Sequence, residues 1–229
     1  MAAALIAAAC AAPTLATRWG PEWATRDLAL TLTELRREKS GNRMDVVFRL
    51  NARGVPHGAK LLVWHKSRGA RPQRVPGVYL ADDGRLMDAQ SGEETDLHAG
   101  GLARGESYDL GAADPDATLR AYVKALPFPV EAREGRRHLQ AEIGSVGADV
   151  WLLTGEGFSP GENLDAVLAA GEDVHMDHLT VPATGMFTRV LFPAAVFGRP
   201  RGKATYRVTG RGAPLELSFS WGPPALTPE

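Results

Sequence analysis

The chain reads as an all-β protein of two β-sandwich domains in tandem. Three observations carry that expectation. Glycine and proline, 25 and 16 of the 229 residues, are spread along the whole chain as turn punctuation. Apolar residues alternate with polar ones in short runs, and the runs recur at even spacing, the rhythm of a sandwich. A chain of this length supports one large or two ordinary domains, each with its own core. The expected organisation is a leader-like Ala-rich segment over 1–16, a first sandwich domain over 17–130 and a second over 137–229.

Met1 to Ala12 are almost wholly small or apolar. Ala7-Ala8-Ala9-Cys10 resembles the approach to the lipid-modified cysteine of a bacterial lipoprotein signal, although no Lys or Arg precedes the apolar run. Thr14-Leu15-Ala16 offers the small residues that an ordinary signal peptidase requires. The competing reading is an Ala-rich helix on a cytosolic protein. Cys10 is the single cysteine, so no intrachain disulfide or cysteine-rich metal site can be built.

Trp19 and Trp23 mark an irregular arm whose rings should pack on the first domain. Leu28, Leu30, Leu32 and Leu35 then alternate as one face of a strand that returns through Lys39-Ser40-Gly41-Asn42 into Met44 to Leu50. Lys60 to Lys66 is the next strand. Ser67 to Pro76, with its arginines and prolines, reads as an exposed loop. Asp82-Asp83-Gly84 signals a hairpin between Val78–Leu80 and Arg85–Met87. Asp88 to Gly105 reads as a long polar loop, and Glu106–Leu110 and Thr118–Ala125 as strands around Asp114-Pro115-Asp116. The prolines of Leu126-Pro127-Phe128-Pro129 close the first domain, and the charged Glu131 to Arg137 reads as a linker. Beyond it, strands are expected at Leu139–Ile143, Val150–Leu153, Asn163–Ala170, Asp173–Val181, Met186–Phe192, Ala204–Val208 and Leu215–Phe219. Trp221 should cap the core.

Thr154-Gly155-Glu156-Gly157-Phe158-Ser159-Pro160-Gly161-Glu162, then Thr184-Gly185-Met186-Phe187, then Gly202-Lys203-Ala204-Thr205-Tyr206 form a recognisable series. Over about residues 139–222 it resembles the immunoglobulin-like β-sandwich modules of bacterial surface and secreted proteins, with Thr184 where an aspartate is usual. The resemblance implies an immunoglobulin-like fold for the second domain, and leaves function open, because such modules serve as spacers, adhesins and enzyme appendages.

Chemistry is sparse. His175, Asp177 and His178 are the candidate metal ligands, but on a flat strand 175 and 177 share a face and 178 points away, so a site would need the segment to bend. Gly157-Phe158-Ser159-Pro160-Gly161 is not a nucleophile elbow. Glu156 and Glu162 could be proposed as paired carboxylates but are expected to be exposed. The glycines form no phosphate loop. With 44% hydrophobic and 23% charged residues the chain is not disordered, and a net charge of −1 gives no global case for nucleic acid. The nearest nucleic-acid feature, Trp64 to Lys66 with the following arginines, is weak.

The expected role is therefore a non-enzymatic, extracytoplasmic binding or scaffold protein of the bacterial envelope, in the periplasm or at the cell surface. It needs no cofactor and meets a protein or glycan of the envelope. Contact with a membrane would come only through a lipid anchor at Cys10. The alternative is an accessory or degenerate hydrolase domain acting on envelope polysaccharide or peptide.

Overall fold

The computed structural model describes residues 20–67 and 70–227. Trp19 and Cys10 lie outside them. The fold is all-β, with four antiparallel sheets paired into two sandwiches.

In the first sandwich, β1 (Ala29–Ser40), β2 (Arg43–Arg53) and β6 (Leu97–Ala103) form one sheet in the order β1-β2-β6. The facing sheet runs β5-β4-β3-β7-β8, with β3 (Leu61–Ser67), β4 (Gln73–Leu80), β5 (Leu86–Asp88), β7 (Tyr108–Ala113) and β8 (Arg120–Ala125). Alternation in β2 sends Met44, Val46, Phe48 and Leu50 inward, against Leu61, Val63 and Leu110 of the other sheet. Leu28 is buried while Leu35 is exposed, contrary to the single face expected of these leucines, because the strand period sets 35 opposite to 28, 30 and 32 and the bulge between Glu34 and Arg36 leaves Leu35 unpaired.

The second sandwich has the sheets β14-β11-β10-β9 and β13-β12-β15-β16. Their strands are β9 (Val130–Glu134), β10 (Arg137–Ile143), β11 (Trp151–Glu156), β12 (Asn163–Ala170), β13 (Asp173–Thr180), β14 (Phe187–Leu191), β15 (Gly202–Thr209) and β16 (Leu215–Trp221). Two short helices, α1 (Pro193–Phe197) and α2 (Pro223–Leu226), complete it. Trp151, Leu153, Leu164 and Trp221 are fully buried, and Phe158 packs on Phe187 with ring centres 5.2 Å apart. The Trp221 indole N–H donates to the Arg199 carbonyl at 3.2 Å, which lets a polar ring cap the core.

The two sandwiches share one topology. In each, a hairpin (β1-β2, β10-β11) crosses to the opposite sheet (β3, β12), folds back on itself (β4, β13), crosses to pair beside the hairpin (β6, β14) and crosses again to the last two strands (β7-β8, β15-β16). This is the Greek-key connectivity of an immunoglobulin-like sandwich. β5 is added outside β4 in the first, and β9 outside β10 in the second. The equivalence descends to single residues: Leu50 to Leu61 (LNARGVPHGAKL) and Leu153 to Leu164 (LTGEGFSPGENL) cross between the sheets at the same point and align without a gap.

Three segments depart from the sequence reading. The expected loop over 88–105 contains β6, the expected linker over 131–137 is β9 with the tight turn into β10, and β4 begins inside the expected loop over 67–76.

Candidate functional site

Among the described residues β13 is an outer strand, paired only with β12. Its register sets His175 opposite Leu168 and Asp177 opposite Ala166, both buried, so His175 and Asp177 share the inward side of the strand with buried Leu179. Val174, Met176 and His178 lie on the outward side. There the His178 Nδ1 is 2.7 Å from Asp165 Oδ1. The strand runs straight, so of the three candidate ligands two meet and the third turns away. Among the described residues no three His, Cys, Asp or Glu side chains come together so as to hold a metal ion. Cys10, the candidate lipidation site, lies outside the described residues.

His175 and Asp177 overlook a cleft of about 140 Å³ between β13 and β14, floored by Leu168 and Tyr206. The first sandwich has its counterpart, a wider cleft of about 460 Å³ between β4 and β6, over Tyr108. The repetition has a simple origin. One flank of each sandwich is closed, by β1 against β8 and by β9 against β16, and the opposite flank is left open. Burial raises both tyrosine pKa values to about 12, so each hydroxyl stays a neutral donor at physiological pH.

The wider cleft also holds His65, Asp96, His98 and Glu106. Burial depresses the pKa of His65 and keeps its ring neutral. Asp96 is engaged by Arg49 at 3.1 Å, and buried Glu106 accepts the Ala103 N–H at 2.9 Å. These groups can orient a polar ligand by hydrogen bonds. Sequence reasoning met His65 only as part of the weak Trp64 to Lys66 nucleic-acid feature and Glu106 only as the start of a strand, because neither belongs to a spaced motif.

The paired carboxylates separate by environment. Glu156 is exposed, but Glu162 is buried, which corrects the expectation that both face water. The Glu162 carboxylate accepts the backbone N–H groups of Ser159, at 3.2 Å, and of Arg211. It ties the Pro160-Gly161 turn to the β15-β16 hairpin and has a structural task.

Between the sandwiches the chain does not hang on a free linker. Gly105 N–H donates to the Phe128 carbonyl and Ile143 N–H to the Gly105 carbonyl, both at 2.7 Å. Gly105 has a φ of 84° and lies against the Trp151 ring, where any Cβ would collide. Ala103 is buried in the second core although β6 belongs to the first sandwich. Lys124 of β8 pairs with Glu142 of β10 at 2.5 Å, and Asn42 donates to the Thr227 carbonyl at 2.6 Å.

No family model and no curated protein matches this chain. Among solved structures it is similar to a tetra-tandem repeat in the extending region of a large adhesion protein, with 11% identity and a TM-score of 0.28 over 86% of this chain and 48% of that one. It is also similar to a structure from work on host cell surface retention of a 1.5-MDa bacterial ice-binding adhesin, with 9% identity and a TM-score of 0.23 over 86% of this chain and 65% of that one. A third is the FN1–FN3 domains of chicken CNTN1, with 9% identity and a TM-score of 0.21 over 82% and 64%. The chain thus spans less than two thirds of each of these structures. At such TM-scores the likeness says nothing of what the chain does. Among the described residues no helix is long and apolar enough to cross a membrane.

Proposed function

We propose that the protein is a non-enzymatic binding or scaffold protein of the bacterial envelope, extracytoplasmic, with two immunoglobulin-like domains in tandem, expected over 17–130 and 137–229, and with β9 added to the second. The second is of the kind carried by bacterial surface and secreted proteins, and the partner is a protein or glycan of the envelope. The observation that carries this reading is the repetition itself: one Greek-key sandwich occurs twice, each copy keeps an open cleft over a buried tyrosine, and the copies are docked into one body. Repeated rigid modules with open flanks suit presentation and contact. The glycine and acid-rich Thr154–Glu162 segment, the most site-like stretch of the sequence, serves the fold through Phe158 and Glu162.

Two experiments test the two halves of this reading. Residues 1–229 fused to alkaline phosphatase should give phosphatase activity in a bacterial host, and a fusion active only with a cytoplasmic reporter overturns the extracytoplasmic assignment. The purified chain should turn over no ester, glycoside or peptide in a generic screen. Turnover abolished by one carboxylate substitution would establish the hydrolase alternative instead.

A further inference from the structure

Where the sandwiches meet, the β1-β2 turn, the β6-β7 turn, the 126–129 segment, β16 and α2 border an open cavity of about 340 Å³. Three cations line it, Lys39 and Arg104 from the first sandwich and Lys203 from the second, and among the described residues no carboxylate lines it. That is a local departure in a chain whose 26 basic and 27 acidic residues balance. Among the described residues none of the three pairs with a carboxylate. Lys39 lies 5.4 Å from the centre of the Phe128 ring, and Arg104 Nε donates to the Pro129 carbonyl at 3.4 Å. Trp151, also in the wall, keeps a buried indole N–H with no acceptor. The wall is rich in donors and poor in acceptors, and holding like charges together without an opposing one is unfavourable until an anion arrives.

The remaining polar groups of the wall are neutral: the hydroxyls of Ser218 and Ser220 and the amide of Asn42. They suit hydroxyl groups, while Phe128 and Phe219 supply apolar surface. We propose that this junction cavity binds an acidic sugar, with its oxyanion among Lys39, Arg104 and Lys203 and its hydroxyls toward Ser218, Ser220 and Asn42. The guanidinium of Arg104 provides the planar fork that a carboxylate or sulfate oxyanion accepts. Because the cations come from both sandwiches, the ligand also clamps them together. This names a ligand class for the binding reading above and rests on it for the lack of turnover.

The test is calorimetric titration at low salt with glucuronate, glucose, inorganic sulfate and a polyglucuronate, using the full chain and the Arg104→Gln, Lys203→Gln double variant. Lys60→Gln, far from the junction, is the control. Glucuronate is expected to bind and glucose not, with affinity falling as salt rises and about tenfold or more weaker in the double variant. Polyglucuronate binding more tightly per site than the monomer identifies a glycan-borne ligand, and equal binding identifies a free sugar acid; either supports the site. Heat from sulfate alone overturns the sugar assignment. No glucuronate binding by the wild-type chain, or equal binding by a double variant that keeps its melting temperature, overturns the site and leaves the module reading standing. Binding accompanied by turnover keeps the site and overturns the non-enzymatic reading.

Discussion

Gly54 and Gly157 occupy the same place in the two sandwiches. Each has positive φ, 82° and 72°, and each lies against a backbone carbonyl, that of Asp27 and that of Arg136, where a Cβ would stand 1.9 and 2.0 Å from the oxygen. The left-handed conformation alone costs an L-residue about 1–2 kcal/mol, and the steric overlap adds to it. Gly54→Ala and Gly157→Ala should therefore each destabilise by about 2 kcal/mol or more in urea melts. A loss under about 0.5 kcal/mol at either site would show that the crossing can relax without cost.

Glu162 and Glu156 should respond differently to truncation. Glu162→Ala leaves two backbone N–H groups of a buried turn without their acceptor, for a loss of about 3 kcal/mol. Glu156→Ala on the surface should stay within about 0.5 kcal/mol. Equal losses in denaturant melts would contradict the assignment of Glu162 as a tie.

Asp109 is buried, its Oδ1 has no hydrogen-bond partner, and Lys66 stands 3.9 Å from its Oδ2. Burial raises its pKa, against the pull of Lys124 and Lys66. A raised folded-state pKa gives stability that is fully present below the unfolded value and is lost as pH rises through the folded one, so at neutral pH the ionised form is a burden. Asp109→Asn should be as stable as the wild type at pH 7 or more so, with any advantage shrinking as pH falls toward 4. A loss above about 1 kcal/mol at pH 7 would mean that its ion pairs outweigh its desolvation.

His65 gives the opposite sign. Its pKa is lowered from 6.5 by burial, so its contribution is present above that value and is lost as pH falls through the folded pKa. Melting temperature should drop as pH falls below about 6.5, and His65→Gln should flatten that part of the profile. Parallel profiles for the two proteins would refute the assignment.

The docked junction predicts one calorimetric transition. Ala103 is buried in the second core and Gly105 bonds to Phe128 and Ile143, so unfolding either sandwich strips contacts from the other. Two transitions separated by more than a few degrees would contradict that coupling.

Much of this architecture is written in local alternation. β2, β3, β10, β11, β15 and β16 read directly, because one face of each is buried and the other wet. β6 escaped because Gly100 and Gly101 interrupt a run of small residues, and its strand character comes from pairing with β2. β9 is hard to read because only Val130 and Ala132 face the core, while its charges are engaged locally, as in the Glu131 ion pair with Arg133 and its contact with the His138 ring at 2.8 Å. Leu35 departs from the face of Leu28, Leu30 and Leu32 because it stands an odd number of residues along the strand, at the bulge. The straightness of β13, which parts His178 from His175 and Asp177, follows from the period of a strand. The cationic cavity is not legible, since Lys39, Arg104 and Lys203 are distant in sequence and the docking of the sandwiches is what adds Lys203 to the wall.

The extra strand β9 has a mechanical consequence. In the first sandwich the chain enters at the end far from the junction and leaves beside it. In the second, β9 runs outward from the junction and β10 returns, so β16 also finishes at the junction, where Asn42 holds the Thr227 carbonyl. Tension applied between Ala29 and Thr227 therefore loads the first sandwich and the contacts at the seam. The second hangs off the line of force except where β9 and β16 meet the seam, and its cleft between β13 and β14 is spared while its neighbour carries the pull.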